Sequence, residues 1–292
     1  MHRYLLHNGK IRETNEALLS PGQVGFMNGW GVFSTLRVSE GVLFAFDRHY
    51  RRMKRDAELL RVPFEITSAA LEKALLELIE ANGAFDATLR VAVVRNKGGL
   101  FEGPQISRET DLIAFTAGLT DWGEGVRLTY APHERFGASR FAGAKVTSWA
   151  QNLTLYEEAH ERSFDEVILL NENGQISECT SANIFVMREG SVWTPPLATS
   201  GCLPGVTRAI LLEEIKAPHL RVIEREFGPS ELEESDQVFI TSTTRDLLPV
   251  LSVDGTALNQ DRRSLATLQQ AFLEYRQSYT LRHVGRNESL AV

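Results

Sequence analysis

The residues Glu178-Cys179-Thr180-Ser181-Ala182-Asn183-Ile184-Phe185 open the most informative part of this chain. They lead through a short hairpin to the turn Trp193-Thr194-Pro195-Pro196, and Leu203-Pro204-Gly205-Val206-Thr207-Arg208 closes this part. An acidic residue stands just before a predicted strand, and Pro204, whose ring fixes a helical φ, suits the first turn of a helix. We therefore predict a compact strand pair followed by a helix.

The start of that helix is suited to bind a phosphate group. Gly205 lets the backbone approach a ligand closely. The free amides of Val206 and Thr207, with the Thr207 hydroxyl, lie at the positive end of the helix dipole. The structural alternative is an ordinary capped helix.

Two ionisable residues of the same half of the chain add further chemistry. Lys145 lies among small and apolar neighbours, and burial lowers the pKa of an amine so that it can act as a nucleophile and a base. A carboxylate at Glu178 that faces a pyridine nitrogen keeps that nitrogen protonated, which lets the ring accept electrons. With a phosphate site, these are the groups that hold a phosphorylated aldehyde cofactor, pyridoxal 5'-phosphate. Taken singly, each has a structural alternative: a lysine extending from a strand edge and a solvated glutamate.

Two weaker candidates lie elsewhere. Arg52 follows His49 on a helix predicted to start with Asp47 as its N-cap, and a guanidinium is a natural phosphate ligand. The surrounding arginines and Lys54 also fit a solvated basic helix face. The hydroxyl cluster Thr241-Ser242-Thr243-Thr244 follows a predicted strand and suits either a phosphate contact or a turn.

Composition limits the remaining possibilities. The chain has 292 residues, a formal net charge of −7 and 43% hydrophobic residues, which fits one large or two ordinary globular domains. The acidic balance argues against a nucleic-acid or membrane-surface partner. Cys179 and Cys202 form neither a disulfide framework nor a zinc-ligand spacing, so no metal site is predicted; buried thiols are favoured over a single bridge. We find no apolar run of membrane-spanning length and no signal peptide, and we expect a cytoplasmic protein.

The alternation of strands and helices predicts two mixed domains. The turn at Asn8-Gly9, a strand over 31–39 and a helix over 68–82 that stops at Gly83 belong to the first half. The glycine-rich segment before 126 is the best linker candidate. Strands over 126–131 and 166–171, and helices over 150–162, 204–215 and 265–279, belong to the second half. No G-x-G-x-x-G or P-loop motif is present.

Taken in order along nearly the whole chain, these motifs resemble the fold type IV pyridoxal-phosphate enzymes, or class IV aminotransferases. This family includes branched-chain aminotransferases, D-amino acid aminotransferases and aminodeoxychorismate lyases. The resemblance implies a mixed α/β (α+β) fold with a smaller N-terminal α/β domain over 1–118, a linker over 119–125 and a larger cofactor-binding pseudo-barrel domain over 126–292.

The resemblance also implies roles for individual residues. Lys145 becomes the catalytic Schiff-base lysine, Glu178 the partner of the pyridine nitrogen, and Leu203 the residue packed under the cofactor ring. The remaining implied cofactor contacts are Arg52, Asn183, Val206, Thr207 and Thr243. The implied substrate pocket contains Trp30, Phe33, Ser34, Arg95, Lys97 and Thr244, and for Arg95, Lys97 and Arg37 a structural salt bridge is an equal alternative.

Two departures from the family pattern concern the substrate. Gly29-Trp30-Gly31 replaces the usual Gly-Asp-Gly, and Ser34 replaces the glutamate usual in aminotransferases. We predict an aminotransferase that moves an amino group between an amino acid, favoured as branched-chain-like, and a 2-oxo acid, in a homodimer. The alternatives are a lyase that releases pyruvate from aminodeoxychorismate, favoured by Ser34, a D-amino acid aminotransferase, and a non-catalytic binding protein on the same scaffold.

Overall fold

A computed structural model describes residues 1–16, 19–20, 22–99 and 106–290 of the chain, with side chains described up to Val284. The chain divides into two compact units. The first contains Met1–Thr120, the short segment Ala144–Trp149 and the last helix from Arg276. The second contains Asp121–Gly143 and Ala150–Tyr275. The domain bounds implied by the sequence stay a prediction.

The first unit is built on an antiparallel sheet of six strands in the order β2-β1-β6-β5-β3-β4. The strands are β1 (Tyr4–His7), β2 (Lys10–Glu13), β3 (Gly31–Ser39), β4 (Val42–Leu43), β5 (Ala87–Arg95) and β6 (Thr110–Ala117). The helices are α1 (Val24–Asn28), α2 (Phe46–Leu59) and α3 (Ser68–Asn82). Apolar residues of β3, β5, α2 and α3 form the core of this unit.

The second unit contains a mixed sheet of nine strands, with the path β12-β11-β10-β13-β14-β7-β8-β9 and β15 paired to β14. The strands are β7 (Val126–Arg135), β8 (Glu166–Asn171), β9 (Ile176–Cys179), β10 (Asn183–Arg188), β11 (Ser191–Thr194), β12 (Arg221–Glu224), β13 (Gln237–Ser242), β14 (Asp246–Val253) and β15 (Thr256–Ala257). The helices are α4 (Ala150–Glu161), α5 (Leu197–Ser200), α6 (Val206–Glu213) and α7 (Pro229–Glu233). The last helix, α8 (Arg262–Leu290), begins in this unit.

Every residue of β8 is buried, as expected for a central strand that is covered on both faces. Its neighbours on the two sides are the parallel β7 and the antiparallel β9. The inward-facing residues of these strands and of β10 and β13 form the core of the second unit. Among the described residues, no helix has the length and apolar character required to cross a membrane.

The predicted elements with clear periodicity are confirmed. The strand over 31–39 and the helix over 68–82 have the predicted bounds, and Leu71, Leu75 and Leu78 of that helix are buried. Gly83 ends the helix in the left-handed region, at a φ of 58°, which a glycine adopts without strain. The mixed α/β class is thereby confirmed.

Several predicted helix bounds are wrong. α6 begins at Val206 with Gly205 as its N-cap, so Pro204 lies before the helix and not in its first turn. α8 extends beyond the predicted 265–279 at both ends.

The predicted start of α2 is wrong as well. The N-cap of α2 is Ala45, at a left-handed φ of 54°, and Asp47 lies inside the first turn. The short β4 ends at Leu43, so the chain turns earlier than the sequence indicates. Asp47 keeps a favourable place there because a carboxylate stabilises the positive end of a helix.

Candidate functional site

Lys145 lies on a short segment that is hydrogen-bonded to β3 within the first unit. Val146 forms an antiparallel bridge with Val32, and the carbonyl of Lys145 accepts a hydrogen bond from the Phe33 amide at 3.1 Å. The Lys145 amide donates to Asp56 Oδ2 on α2 at 3.1 Å. Asp56 is itself buried. Strand pairing on one side and a buried carboxylate on the other therefore fix the backbone of the half-buried Lys145.

Aromatic rings surround the Lys145 amine. Its Nζ lies 4.6 Å from the centroid of the Phe33 ring and 6.0 Å from that of Trp149. The guanidinium of Arg90, on β5, lies over the same Phe33 ring at 3.9 Å. Phe33 is opposite Ala92 in the strand register, which makes Arg90 a diagonal cross-strand neighbour. Burial lowers the pKa of Arg90.

Arg52 belongs to a buried polar cluster with two other residues of the first unit, Ser34 and His49. Arg52 Nη2 donates to Ser34 Oγ at 2.9 Å, and Ser34 Oγ lies 2.8 Å from His49 Nδ1. Desolvation lowers the pKa of His49 well below its usual value, with further contributions from the charges of Arg52 and Lys145. His49 is therefore neutral at physiological pH. We call Ser34, His49 and Arg52 the serine–histidine–arginine cluster.

The other residues predicted in the substrate pocket make structural contacts. Trp30 donates its Nε1–H to the Leu60 carbonyl at 2.8 Å, and Arg95 stacks over the Trp30 ring at 4.2 Å. Arg95 also donates to the carbonyls of Lys97 and Arg61. Lys97 forms an ion pair with Glu109 at 3.0 Å, which is the salt bridge that the sequence left open as an alternative for this residue. A place for Arg95 or Lys97 in the substrate pocket stays a prediction.

Glu178, in the second unit, is held by three donors. Arg135 Nη2 lies 2.8 Å from Oε1, the Leu203 amide donates to Oε2 at 2.9 Å, and Asn183 Nδ2 lies 3.5 Å from Oε2. Asn183 also donates to the Leu203 carbonyl at 2.9 Å. Glu178 therefore binds the amide of Leu203, and Asn183 binds its carbonyl, which fixes the backbone just before α6.

The start of α6 combines a close backbone approach with a buried hydroxyl. Gly205 is the N-cap, and a Cβ at this position would come within 2.0 Å of Asn183 Oδ1, so only glycine fits. The Thr207 side chain is 2% exposed, and its hydroxyl has no hydrogen-bond partner among the described residues. Thr241, which is opposite Asn183 in the strand register, also has a buried hydroxyl without a partner in the described part of the chain.

Thr243 and Thr244 lie in the turn between β13 and β14. Ser242 Oγ is 3.4 Å from Thr244 Oγ1 and accepts from the Arg245 amide at 3.2 Å. Both threonines are half-buried. The hydroxyl cluster predicted from the sequence therefore forms a turn beside Thr241.

A buried ion pair joins this turn to the segment that follows Glu178. Arg245 Nη2 lies 3.4 Å from Glu166 Oε2, and Arg245 Nη1 donates to Ser181 Oγ at 2.8 Å. Glu166 also accepts from the hydroxyls of Thr180 and Ser181. Trp122 covers the Arg245 guanidinium at 4.0 Å.

Because Glu166 is fully buried, its replacement leaves a buried, uncompensated arginine. We expect Glu166→Leu to lower the free energy of unfolding by about 3–5 kcal/mol. Urea unfolding followed by circular dichroism measures this change. Glu158→Leu, on an exposed position of α4, is the matched control and is expected to change stability by less than about 0.5 kcal/mol. Equal stability of the two variants would contradict a structural role for the pair.

The residues of the second unit fit a phosphorylated pyridine cofactor. The unpartnered Thr207 hydroxyl and the uncapped first turn of α6 offer donors to a phosphate. Glu178 offers a carboxylate to a ring nitrogen. Among the described residues of the first unit, Lys145 is the lysine whose amine lies over Phe33 and Trp149.

Three contributors were missed by sequence reasoning: His49, Arg90 and Arg135. His49 is visible in the sequence only as a neighbour of Arg52 along one helix. Arg90 lies at a partly exposed position of a strand whose alternate residues are buried, where a charged residue is ordinary, so the sequence carries no signal for it. Arg135 is brought to Glu178 by strand pairing of distant segments, which no local pattern encodes.

Comparison with known proteins identifies the family of this chain. Residues 31–253 match the family model for amino-transferase class IV. A D-alanine aminotransferase of Bacillus licheniformis is 29% identical over 260 residues, covering 87% of this chain and 89% of the relative. A branched-chain-amino-acid aminotransferase of Salmonella typhimurium is 27% identical over 283 residues, covering 92% and 91%.

A solved branched-chain amino acid aminotransferase from Escherichia coli has the same fold, with a TM-score of 0.86 and 24% identity over 94% of this chain and 95% of that one. The fold type IV prediction is thereby confirmed. Since the family model covers more than half of the sequence, the prediction of a transaminase is confirmed as well. The chain belongs to the class IV aminotransferase family.

Proposed function

We propose that this aminotransferase uses pyridoxal 5'-phosphate and that Lys145 forms the covalent bond to it. The observation that carries the proposal is the placement of the Lys145 amine over the Phe33 ring, on a backbone fixed by β3 and Asp56. These contacts hold the amine in a fixed place, and a lysine amine is the group that forms a Schiff base with an aldehyde.

The residues of the second unit supply the remaining cofactor contacts in this proposal. Glu178 pairs with the ring nitrogen, and its bonds to Arg135 and Leu203 keep the carboxylate in a fixed orientation. Val206 and Thr207 bind the phosphate from the start of α6, and Thr243 binds it from the neighbouring turn. Leu203 and Asn183 shape the surface against the ring. Arg52 is the proposed phosphate ligand of the first unit.

Pyridoxal phosphate supplies an electron-accepting ring that stabilises negative charge at the Cα atom of the substrate. The chain then has to move one proton. We propose that Lys145 Nζ, once released from the cofactor, takes the proton from Cα and returns it on the cofactor side as a general base and then acid. Phe33 and Trp149 exclude water from this amine and keep the proton from being lost to solvent.

For the substrate we propose an amino acid with an apolar, branched-chain-like side chain and a 2-oxo acid acceptor. Phe33 and Trp149 provide apolar surface beside the reacting amine, with their ring centroids 6.1 Å apart. The branched-chain aminotransferase from Salmonella supports this choice, while the D-alanine aminotransferase supports the D-amino acid alternative at similar identity. Ser34, the main support for a lyase, is engaged by Arg52 and His49, which weakens that alternative.

Absorption spectroscopy of the purified protein loaded with pyridoxal phosphate tests the proposed function. L-leucine is added without any oxo acid, with D-alanine and aminodeoxychorismate in parallel. We expect L-leucine to remove the visible absorption of the lysine-bound cofactor and to release the matching oxo acid. A response to D-alanine alone, or pyruvate release without an acceptor, would replace the proposed substrate. A protein that never acquires visible absorption would contradict the cofactor assignment.

Arg90 is the proposed contact for a substrate carboxylate. Its guanidinium lies over the Phe33 ring, which the Lys145 amine also contacts, and it forms no ion pair among the described residues. We expect Arg90→Gln to raise the KM for the amino acid by about 10- to 100-fold while kcat falls less, because a charge-assisted hydrogen bond is lost. Steady-state kinetics measure KM and kcat separately. Arg12→Gln, on the distant β2, is the control, and an unchanged KM in Arg90→Gln would refute the contact.

We further propose a homodimer in the cytoplasm, as the family resemblance implies. Sedimentation equilibrium of the purified protein tests the dimer. A monomeric mass over the accessible concentration range would refute it.

A further inference from the structure

The serine–histidine–arginine cluster contains one hydrogen bond whose direction can be assigned from chemistry alone. A guanidinium only donates hydrogen bonds, so Ser34 Oγ must accept from Arg52 Nη2 at 2.9 Å. Two directions are then possible for the 2.8 Å contact with His49 Nδ1, because Ser34 Oγ has one proton and a second lone pair. In one of them, Ser34 donates to Nδ1 and the ring carries its proton on Nε2.

The burial of the cluster makes this direction the stable one. Ser34 and His49 are 0% and 1% exposed, and Arg52 is 8% exposed. A proton on His49 Nδ1 would face the Arg52 Nη2–H group at 3.5 Å. Such an arrangement places two donors against each other inside a buried cluster, which favours a neutral ring with Nδ1 as the acceptor.

The hydrogen bond from Arg52 Nη2 to Ser34 restricts the orientation of the guanidinium plane. One Nη2–H group is committed to Ser34, and the other donors of a planar guanidinium follow from that contact. Bidentate recognition of a phosphate depends on such a plane. Ser34 is the residue that contacts both Arg52 and His49 in the cluster.

We propose that Ser34 and His49 are positioning residues that orient Arg52 toward the cofactor phosphate, and that this is the function of the serine in this chain. The proposal rests on the proposed function of Arg52 as a phosphate ligand. It assigns no contact between Ser34 and the substrate, so the serine is expected to affect cofactor affinity more than substrate specificity.

The test compares two probes that differ only in the phosphate: pyridoxal 5'-phosphate and pyridoxal. The dissociation constant of each is measured by visible absorption for the unmodified protein and for Ser34→Ala. We expect Ser34→Ala to weaken binding of the phosphorylated probe by about tenfold and to change binding of pyridoxal by less than about twofold. Ser34→Thr, which keeps the hydroxyl, is expected to restore the affinity ratio. Ser39→Ala, at the other end of β3, is the matched control.

A second variant and a second readout keep the test decisive if Ser34→Ala does not fold. His49→Gln retains an acceptor for Ser34 and is expected to keep most of the phosphate preference, whereas His49→Leu is expected to lose it. The phosphorus NMR resonance of the bound cofactor should shift in Ser34→Ala and not in Ser39→Ala. The positioning role would be overturned if Ser34→Ala weakened the binding of pyridoxal 5'-phosphate and of pyridoxal equally. It would also be overturned if the ratio of the two dissociation constants stayed unchanged in Ser34→Ala and His49→Leu. Absence of visible absorption in the unmodified protein would instead overturn the proposed function.

Discussion

Lys145→Ala is expected to eliminate the covalent attachment of pyridoxal phosphate and to lower kcat by about 10⁴-fold. The substitution removes both the nucleophile and the base at once, and no second amine of the described first unit is placed over Phe33 and Trp149. The cation over the ring is lost as well, which Lys145→Arg retains. Since a guanidinium neither attacks an aldehyde nor carries a proton at neutral pH, Lys145→Arg is expected to be as inactive as the alanine variant.

Borohydride reduction followed by peptide mass spectrometry measures the attachment directly. The unmodified protein should carry the reduced cofactor on the peptide that contains Lys145. Lys97→Ala is the matched control, because Lys97 belongs to the same unit and pairs with Glu109. A Lys145→Ala protein that still carries a reduced cofactor on another lysine and turns over within tenfold of the unmodified protein would refute the assignment.

Glu178→Gln is expected to lower kcat by about 10²–10³-fold while the cofactor still binds through Lys145. A neutral amide cannot balance a protonated ring nitrogen, so less charge is stabilised when the Cα proton leaves. The same substitution replaces the carboxylate that accepts from Arg135 at 2.8 Å by a neutral amide, so the charge of Arg135 is no longer balanced there. We therefore also expect the free energy of unfolding to fall by roughly 1–3 kcal/mol.

The double variant Arg135→Gln/Glu178→Gln separates the two effects. Removing both charges should recover much of the lost stability, because no buried charge is left alone, but it should recover none of the lost kcat. Chemical unfolding and single-turnover kinetics measure the two quantities on the same samples. If the double variant regained activity together with stability, Glu178 would be a structural residue and the proposed role at the ring nitrogen would fail.

The sequence predicted those parts of the fold that local patterns encode. The strand over 31–39 alternates, the helix over 68–82 has an inward apolar face and a glycine stop, and both bounds agree with the structure. The strand over 166–171 is a continuous apolar run, and it is also placed as predicted. The start of α2 was placed wrongly because Ala45, a residue with no preference for a left-handed conformation, turns the chain there.

For a related reason, the sequence pointed to some residues of the candidate site and gave no sign of others. Lys145, Glu178 and the start of α6 lie within motifs that can be recognised along the chain. The orientation of Ser34, by contrast, depends on His49 and Arg52, which reach it from α2 across the sheet. The charges of Arg95 and Lys97 are visible in the sequence and led to their prediction as pocket residues, which stays a prediction. Their contacts with Trp30 and Glu109 join residues that no local pattern connects.

The segment that carries Lys145 has a consequence for how the chain can be divided. Over Gly31–Phe33, β3 pairs with β5 on one side, and β4 covers only Val38 and Ser39 on the other. The bridge at Val146 and the bonds to Phe33 and Gly31 close that open edge. A recombinant fragment that stops at Thr120 would therefore expose unpaired strand amides, a common start of edge-to-edge aggregation. The same six residues carry the Lys145 amine and cover this open edge of the sheet. Permuted or truncated forms of the protein must therefore retain them to remain monodisperse.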